Sequence, residues 1–412
     1  MSSLQQWTPT TLGELLIFTG GSQPPLSVFS KTEHEGYIRL IQIRDYKTDK
    51  YTTYIPKDLA RRFCDADDIM IGRYGPPIFQ ILRGLEGAYN VALIKVTPKG
   101  NILKDFAWHY LRNDRLFKHI DKLSRRTSGQ TGVDLNELEN YPIQLPPLAE
   151  QQKIAQALTD ADNYISALEK LIEKKKMMKE GLMVNLLTGK QRLKEFAFNE
   201  DGTAKGYKDS ELGKIPEDWE IFKLKDLTYS TAGGTPSTLV DAYWGGENPW
   251  MSSGELHLKE VFDVSERITD LGLENSSTKY VPKNSVLIGL AGQGKTRGTV
   301  AISRIRLCTN QSIAAIFPSP KFNSDYLYYN LDNRYEELRS LSTGDGGRGG
   351  LNLSIINNLS VPFPNIDEQN AIVNNLKTID NELNVLNTKL SKANLLKQGM
   401  MQKLLTGEIR LA

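Results

Sequence analysis

The chain repeats itself, and that repeat restricts its fold more than any other feature. Residues 147–193 superimpose without a gap on residues 365–411, a shift of 218. Pro147-Leu148-Ala149-Glu150-Gln151-Gln152-Lys153-Ile154 falls on Asn365-Ile366-Asp367-Glu368-Gln369-Asn370-Ala371-Ile372. The match closes on Leu186-Leu187-Thr188-Gly189 against Leu404-Leu405-Thr406-Gly407, then Arg192-Leu193 against Arg410-Leu411. About 17 of those 47 positions are identical, where unrelated residues of average composition would give roughly three. A weaker match joins the beginnings of the halves: Trp7, Leu12 and Leu15 before Gly20-Gly21-Ser22, and Trp219, Leu224 and Leu227 before Gly233-Gly234-Thr235. Each half is a mixed segment followed by a helical one, in the order A, B, A′, B′.

The B segments carry helical spacing. Ile154, Leu158, Ala161, Ile165, Leu168 and Ile172 alternate steps of four and three, as do Ile372, Leu376, Ile379, Leu383, Leu386, Leu390 and Ala393. That is a heptad seam, interrupted by Lys175 and Lys179 in the first copy and Lys397 in the second. A helix from Glu150 to Leu187 spans roughly 57 Å at about 1.5 Å per residue, too long to bury its stripe on one small domain. Two placements answer this: the helices pack on each other, or each lies on its own globular domain. The A segments hold β-rich runs such as Tyr37–Ile43, Ala88–Val96 and Gly298–Ile302 between Gly and Pro clusters, which predicts strand-rich domains with long loops. The polar stretch between Lys190 and Pro216 reads as a linker.

Little in the sequence points to chemistry. Gly289-Leu290-Ala291-Gly292-Gln293-Gly294-Lys295-Thr296 has the spacing of a phosphate-binding loop. Such a loop needs a helix to begin at the Lys-Thr, whereas Arg297-Gly298-Thr299-Val300-Ala301-Ile302 predicts a strand. The equivalent stretch of the first half, Asp68–Pro77, lacks Gly-Lys-Thr altogether. No catalytic constellation is recognised, and His34, His109, His119 and His257 are scattered. Cys64 and Cys308 lack neighbours at metal-ligand spacing, so neither a zinc site nor a disulfide framework is expected. With no secretory or membrane-spanning run, a cytoplasmic location fits. The net charge of +2, from 51 basic and 49 acidic residues, argues at first against nucleic-acid binding. It also fits an average over basic reading loops and partner-covered helices, in which case the isolated chain binds DNA weakly.

Several local signatures, in their order, resemble the specificity subunit of a type I restriction-modification system. They are Leu145-Pro146-Pro147-Leu148-Ala149-Glu150-Gln151 and Phe363-Pro364-Asn365-Ile366-Asp367-Glu368-Gln369, the Leu-Leu-Thr-Gly ends, Gly233-Gly234-Thr235-Pro236-Ser237, Tyr243-Trp244-Gly245-Gly246, Pro249–Glu255 and Asp209–Trp219. The first half departs from the pattern, with Gly20-Gly21-Ser22-Gln23-Pro24-Pro25 and no Tyr-Trp-Gly-Gly element. The resemblance implies an α+β fold: two strand-rich target-recognition domains separated by a pair of long antiparallel, coiled-coil-like helices, in an internal pseudo-two-fold repeat. The expected division is a first recognition domain at 1–146, a central helical region at 147–193, a linker at 194–216, a second recognition domain at 217–364 and a C-terminal helical region at 365–412. It further implies a non-catalytic chain that binds double-stranded DNA, docks two methyltransferase subunits and is joined by restriction subunits. No cofactor is expected in this chain; S-adenosylmethionine, ATP and Mg2+ belong to the partners.

Two different readers imply a bipartite, asymmetric DNA site with unread base pairs between its halves. Polar side chains on Gly-flanked loops are the candidates for base contact, because Arg and Gln bind guanine and adenine in bidentate fashion. In the first half these are Gln42, Arg44, Arg73 and Tyr74; in the second, Ser253, Glu255, Gln293, Lys295 and Arg297. Arg112, Arg115, Lys118, Lys122, Arg125 and Arg126 put charge along a short helix before a Gly-containing loop, the pattern of phosphate contact. The second-half counterpart runs through Arg339 to Arg348. Lys174, Lys175, Lys176 and Lys179 lie on the helical rod and read as a solvated or partner-facing surface, with contact to DNA between the half-sites as the alternative.

Overall fold

The computed structural model describes residues 6–124, 132–292, 294–341 and 350–411. The chain divides into two compact units, Met1–Glu169 with Thr388–Ala412, and Lys170–Asn387. Both change-over points lie inside a long helix, Leu148–Leu187 or Ile366–Leu404. They are equivalent points, since Glu169 and Asn387 are 218 residues apart. Each helix therefore gives its N-terminal part to the unit of its own half and its C-terminal part to the other unit.

In the first unit, strand Thr8–Thr11 pairs antiparallel with Pro142–Leu145, tying the start of the domain to the point where the long helix begins. Between them lie two four-stranded sheets. One is ordered Leu16–Gly20, Leu93–Pro98, Ile69–Gly72, Gln80–Leu82 and is antiparallel throughout. The other is ordered Tyr54–Pro56, Tyr37–Ile41, Gly87–Tyr89, Phe63–Cys64, with its central pair parallel. The second unit repeats this plan. Glu220–Lys223 pairs with Ser360–Phe363. Ser230–Ala232, Ile313–Ile316, Val286–Gly289 and Val300–Ser303 form the antiparallel sheet, extended by an edge strand Glu260–Val261. Trp244–Met251 and Leu307–Thr309 are the parallel pair of the other sheet. Ile69–Gly72 and Val286–Gly289 are buried at every residue, which is why both read as unbroken apolar runs rather than alternating ones.

The repeat is also in the hydrogen bonding, and this shifts one sequence alignment. Gly21 N–H donates to Leu93 O, and Gly233 N–H to Ile313 O. Gly21 is thus the partner of Gly233, each 14 residues after its tryptophan, and the Gly-Gly pairs are offset by one residue because Gly20 stands where the second half has Ala232.

Both placements considered for the helices occur. Ile154, Ala155 and Leu158 join the core of the first domain, with Leu404 and Leu405 from the end of the other helix. Ile372, Val373 and Leu376 do the same in the second, with Leu186 and Leu187. The lysines that interrupt the heptads do not break the contact. Lys175 pairs with Glu382 at 2.5 Å and Lys179 with Asp380 at 2.6 Å in the second unit, while Lys397 pairs with Asp162 in the first. As one number rises the other falls, so within the second unit the helices run antiparallel.

The helix ends are held by a latch that each unit builds in the same way. Trp7 Nε1 donates to Glu150 at 3.0 Å, and Arg410 donates twice to the same carboxylate at 2.7 Å. In the second unit Trp219 Nε1 donates to Glu368 at 3.2 Å and Arg192 donates at 2.9 and 2.6 Å. Gln151 and Gln369 accept from the backbone of Leu103 and Asn323, joining each helix start to its domain. The glycines of the Leu-Leu-Thr-Gly ends adopt φ of +71° at Gly189 and +73° at Gly407, the left-handed conformation that ends a helix at little cost only for glycine. The chain then turns onto the latch. At Gly189 a Cβ would lie 2.4 Å from Pro216 Cδ.

Asp162 and Asp380 are equivalent junctions between the domain helix and the two long helices. Tyr329 Oη donates to Asp380 at 2.7 Å. Its counterpart is His109, whose Nε2 lies 3.0 Å from Thr159 Oγ1, and Nδ1 4.0 Å from Asp162. Burial lowers the His109 pKa from 6.5 to about 4; Asp162 pulls it upward, and Arg112 and Lys397 push it down. The folded histidine is therefore neutral where the unfolded one takes up a proton. The contribution of His109 to stability is lost as pH drops from 6.5 to about 4 and changes no further below, a loss of up to about 3 kcal/mol. His109→Tyr, which copies the second unit, should flatten urea-unfolding stability across that window; an unchanged slope would show that His109 does not cause it.

Candidate nucleic-acid interface

In each domain the buried strand ends at a glycine, Gly72 or Gly289, and the backbone frame beyond it is the same. Arg73 N–H donates to Ala92 O at 2.8 Å and Arg73 O accepts from Val133 at 3.0 Å. Leu290 N–H donates to Ser312 O at 2.8 Å and Leu290 O accepts from Leu351 at 2.9 Å. A short 3-10 helix packs beside each glycine, Ile43–Tyr46 in one domain and Ser253–Leu258 in the other. A Cβ on Gly72 would lie 3.2 Å from Ile43 Cδ1, and one on Gly289 3.0 Å from Leu256 Cδ1. The described base-contact candidates therefore lie along the strand-end edge of each domain.

Their roles within that edge differ. Both 3-10 helices begin with a capping box, in which Gln42 N–H donates to Asp45 at 2.9 Å and Ser252 N–H to Glu255 at 3.0 Å. Burial raises the Asp45 pKa, partly offset by the amide of Gln42 and the charge of Arg39. Gln42 donates its own amide to Thr53 Oγ1 at 3.0 Å. Glu255 also accepts from Ser265 N at 2.9 Å and Ser265 Oγ at 3.0 Å. Gln42 and Glu255 thus hold the turns that carry Arg44 and Ser253; their bonding groups are engaged inside the protein. Arg44 is exposed beside the Tyr51 ring, 5.8 Å from its centre, with Lys50 at 5.5 Å. Sequence reasoning passed over Lys50 and Tyr51, although a basic residue beside an aromatic one is the signal that finds such a cluster. Arg73 stacks over Tyr74 at 5.4 Å.

In the second domain the loop after Gly289 is held from beneath by Tyr335 Oη, which donates to Lys295 O at 3.1 Å, and by Arg339, which donates to Gly294 O at 2.7 Å. Lys295 is exposed, while Ser253 and Arg297 are half-buried. Tyr335, also passed over, positions this loop. Strand Val300–Ser303 follows antiparallel, with no helix at Lys295-Thr296, so the geometry of a phosphate-binding loop is not formed. Gln293, Arg125, Arg126 and Arg348 lie outside the described residues.

The helix Asp114–Ser124 buries Leu116 and Ile120 and leaves Arg115, Lys118 and Lys122 exposed. Arg112 faces elsewhere. It pairs with Asp162 at 2.8 Å and lies 4.8 Å from the centre of the Trp108 ring, so it braces the domain on the long helix. Cys64 and Cys308 are buried and free, and burial pushes both thiols up to about 11. Among the described residues no helix is long and apolar enough to cross a membrane.

A domain present twice, with one frame and two different edges, defines a tandem recognition protein. The family model for the type I restriction modification DNA specificity domain matches residues 5–176 and 216–395, and the chain belongs to that family. It is similar to the type I restriction enzyme MjaVIII specificity subunit of Methanocaldococcus jannaschii, 27% identical over 420 aligned positions that cover 98% of this chain and 93% of that one. It is 23% identical to the EcoBI specificity subunit of Escherichia coli over 99% of this chain and 87% of the other. Its fold is shared with the crystal structure of a type I restriction-modification S subunit from M. genitalium, with a TM-score of 0.60 at 14% identity, covering 98% and 97% of the two chains.

Proposed function

We propose that this chain is the DNA-reading subunit of a type I restriction-modification complex and is not catalytic by itself. Each recognition domain, 1–146 and 217–364, reads one word of an asymmetric bipartite site. The single observation that carries this reading is the pair of strand-end frames: identical backbone bonding at Arg73 and Leu290, followed by loops of different length and composition. A constant frame with a variable edge is what two readers of different words require. Arg44, Arg73, Tyr74, Ser253, Lys295 and Arg297 are the base-contact candidates on those edges, together with Gln293. Arg115, Lys118, Lys122, Arg125, Arg126 and Arg348 position the phosphates.

The long helices separate the words and dock two methyltransferase subunits. Met177 and Met178 are exposed in the second unit, and their counterparts Leu395 and Leu396, 218 residues on, are exposed in the first. The same apolar pair presented once per unit suits two copies of one partner. Restriction subunits complete the nuclease. S-adenosylmethionine, ATP and Mg2+ are then held by those partners.

The test is a shift assay on a randomised DNA library with the methyltransferase added. It should retain a sequence-restricted fraction, and retention without sequence preference would overturn the reading. Changing Met177 and Met178 together to Asp should leave one methyltransferase bound instead of two by native mass spectrometry, as should changing Leu395 and Leu396. Two copies still bound to either variant would place the docking surface elsewhere.

A further inference from the structure

We infer that Arg73 reads a guanine in the word recognised by the first domain, an assignment that rests on the DNA-reading role proposed above. The two domains supply an internal comparison. At the same backbone position, with the same pair of hydrogen bonds, the second domain places Leu290 in its hydrophobic core. The first domain places a guanidinium there. Nothing in the fold calls for charge at this point, since leucine satisfies the identical frame.

The arginine also lacks the carboxylate partner that several other arginines of its domain have. Arg39 pairs with Asp49, Arg83 with Asp105 and Arg112 with Asp162. Among the described residues no carboxylate pairs with Arg73, and its Nε is buried without a hydrogen-bond partner. A buried donor left unmet costs stability, and a bound ligand that supplies an acceptor removes that cost. Asp134, the carboxylate in the same concavity, uses Oδ1 to cap Asn136 and Glu137.

The surroundings suit a planar partner. Arg73, Tyr74, Gly132, Val133 and Asn136 are among the residues that line a concavity of about 410 Å³. The Tyr74 ring lies under the guanidinium at 5.4 Å, and Gly132 bridges to Tyr74. The cation–π contact restricts where the guanidinium sits before it meets its target. An arginine fork in the major groove matches O6 and N7 of guanine. A phosphate contact would carry no sequence information, whereas a guanine contact shows as discrimination at one position of one word.

The test uses the chain assembled with its methyltransferase subunits on DNA with both half-sites randomised, and the methylated sequences are read out. Arg73→Leu installs the residue that the second domain uses, so the fold should be retained, with the unfolding temperature checked. One guanine position in one word should lose discrimination by about tenfold or more, with the second word and the spacing unchanged. Arg73→Lys should lose it too, because an ammonium cannot make the bidentate pair. If Arg73→Lys keeps the word intact, or Arg73→Leu lowers methylation of all sequences alike, Arg73 contacts phosphate and the assignment is wrong. If wild-type methylation shows no sequence preference, the DNA-reading role fails and this assignment fails with it.

Discussion

Glu368→Ala should destabilise the second unit by roughly 3–5 kcal/mol, the range for removing one partner of a buried ion pair. The side chains of Glu368 and Arg192 are 1% and 3% exposed, so water cannot replace the lost carboxylate. Trp219 loses the acceptor for its Nε1 in the same change, and Asp218 remains as the only ion-pair partner of Arg192 among the described residues. The equivalent Glu150→Ala should cost less, because Arg410 is 23% exposed and water can solvate it. Burial alone would raise the Glu150 pKa, but hydrogen bonds from Arg410 and Trp7 outweigh it and hold the carboxylate low. Urea unfolding of the two variants measures the difference. Equal losses, or a loss below about 1 kcal/mol for Glu368→Ala, the range of an exposed pair, would show that the latch does not hold the helix ends.

The second large effect concerns spacing. Seven residues inserted at equivalent points of both long helices, after Glu169 and after Asn387, keep the heptad phase and add about 10 Å to each helix. On duplex DNA with a rise of about 3.4 Å per base pair, the unread gap should grow by about three base pairs. Both words should be unchanged. A binding-site selection that returns the original gap would sink the role of the helices in setting it.

The repeat was legible because it lies in contiguous, strongly periodic segments. Glu150 with Gln151, Leu186-Leu187-Thr188-Gly189 and Arg192 match their counterparts without a gap, and these segments build the latches. That Arg410 pairs with Glu150 was not legible, since the partners are 260 residues apart and no local pattern encodes a contact at that range. The heptad lysines misled for a related reason. Lys175, Lys179 and Lys397 read as breaks in an apolar seam, and only the facing helix shows the carboxylates that accept them.

The strand-end edges were legible in position more than in role. Arg44, Arg73 and Lys295 are polar residues on Gly-flanked loops, and they lie at equivalent edges of the two domains. Gln42 and Glu255 fit the same description, yet they serve as caps, because a side chain three residues away completes a capping box. Arg112 stood in line with Arg115 and Lys118, but the turn between the helices Lys104–Leu111 and Asp114–Ser124 redirects it to Asp162.

The measurement closest to the central claim is the sequence of the DNA sites methylated by the chain together with its methyltransferase. Two non-identical words separated by one fixed gap are expected, and exchanging residues 217–364 for those of a relative should change only one word. A single contiguous word, a palindrome, or a change in both words on that exchange would contradict the account.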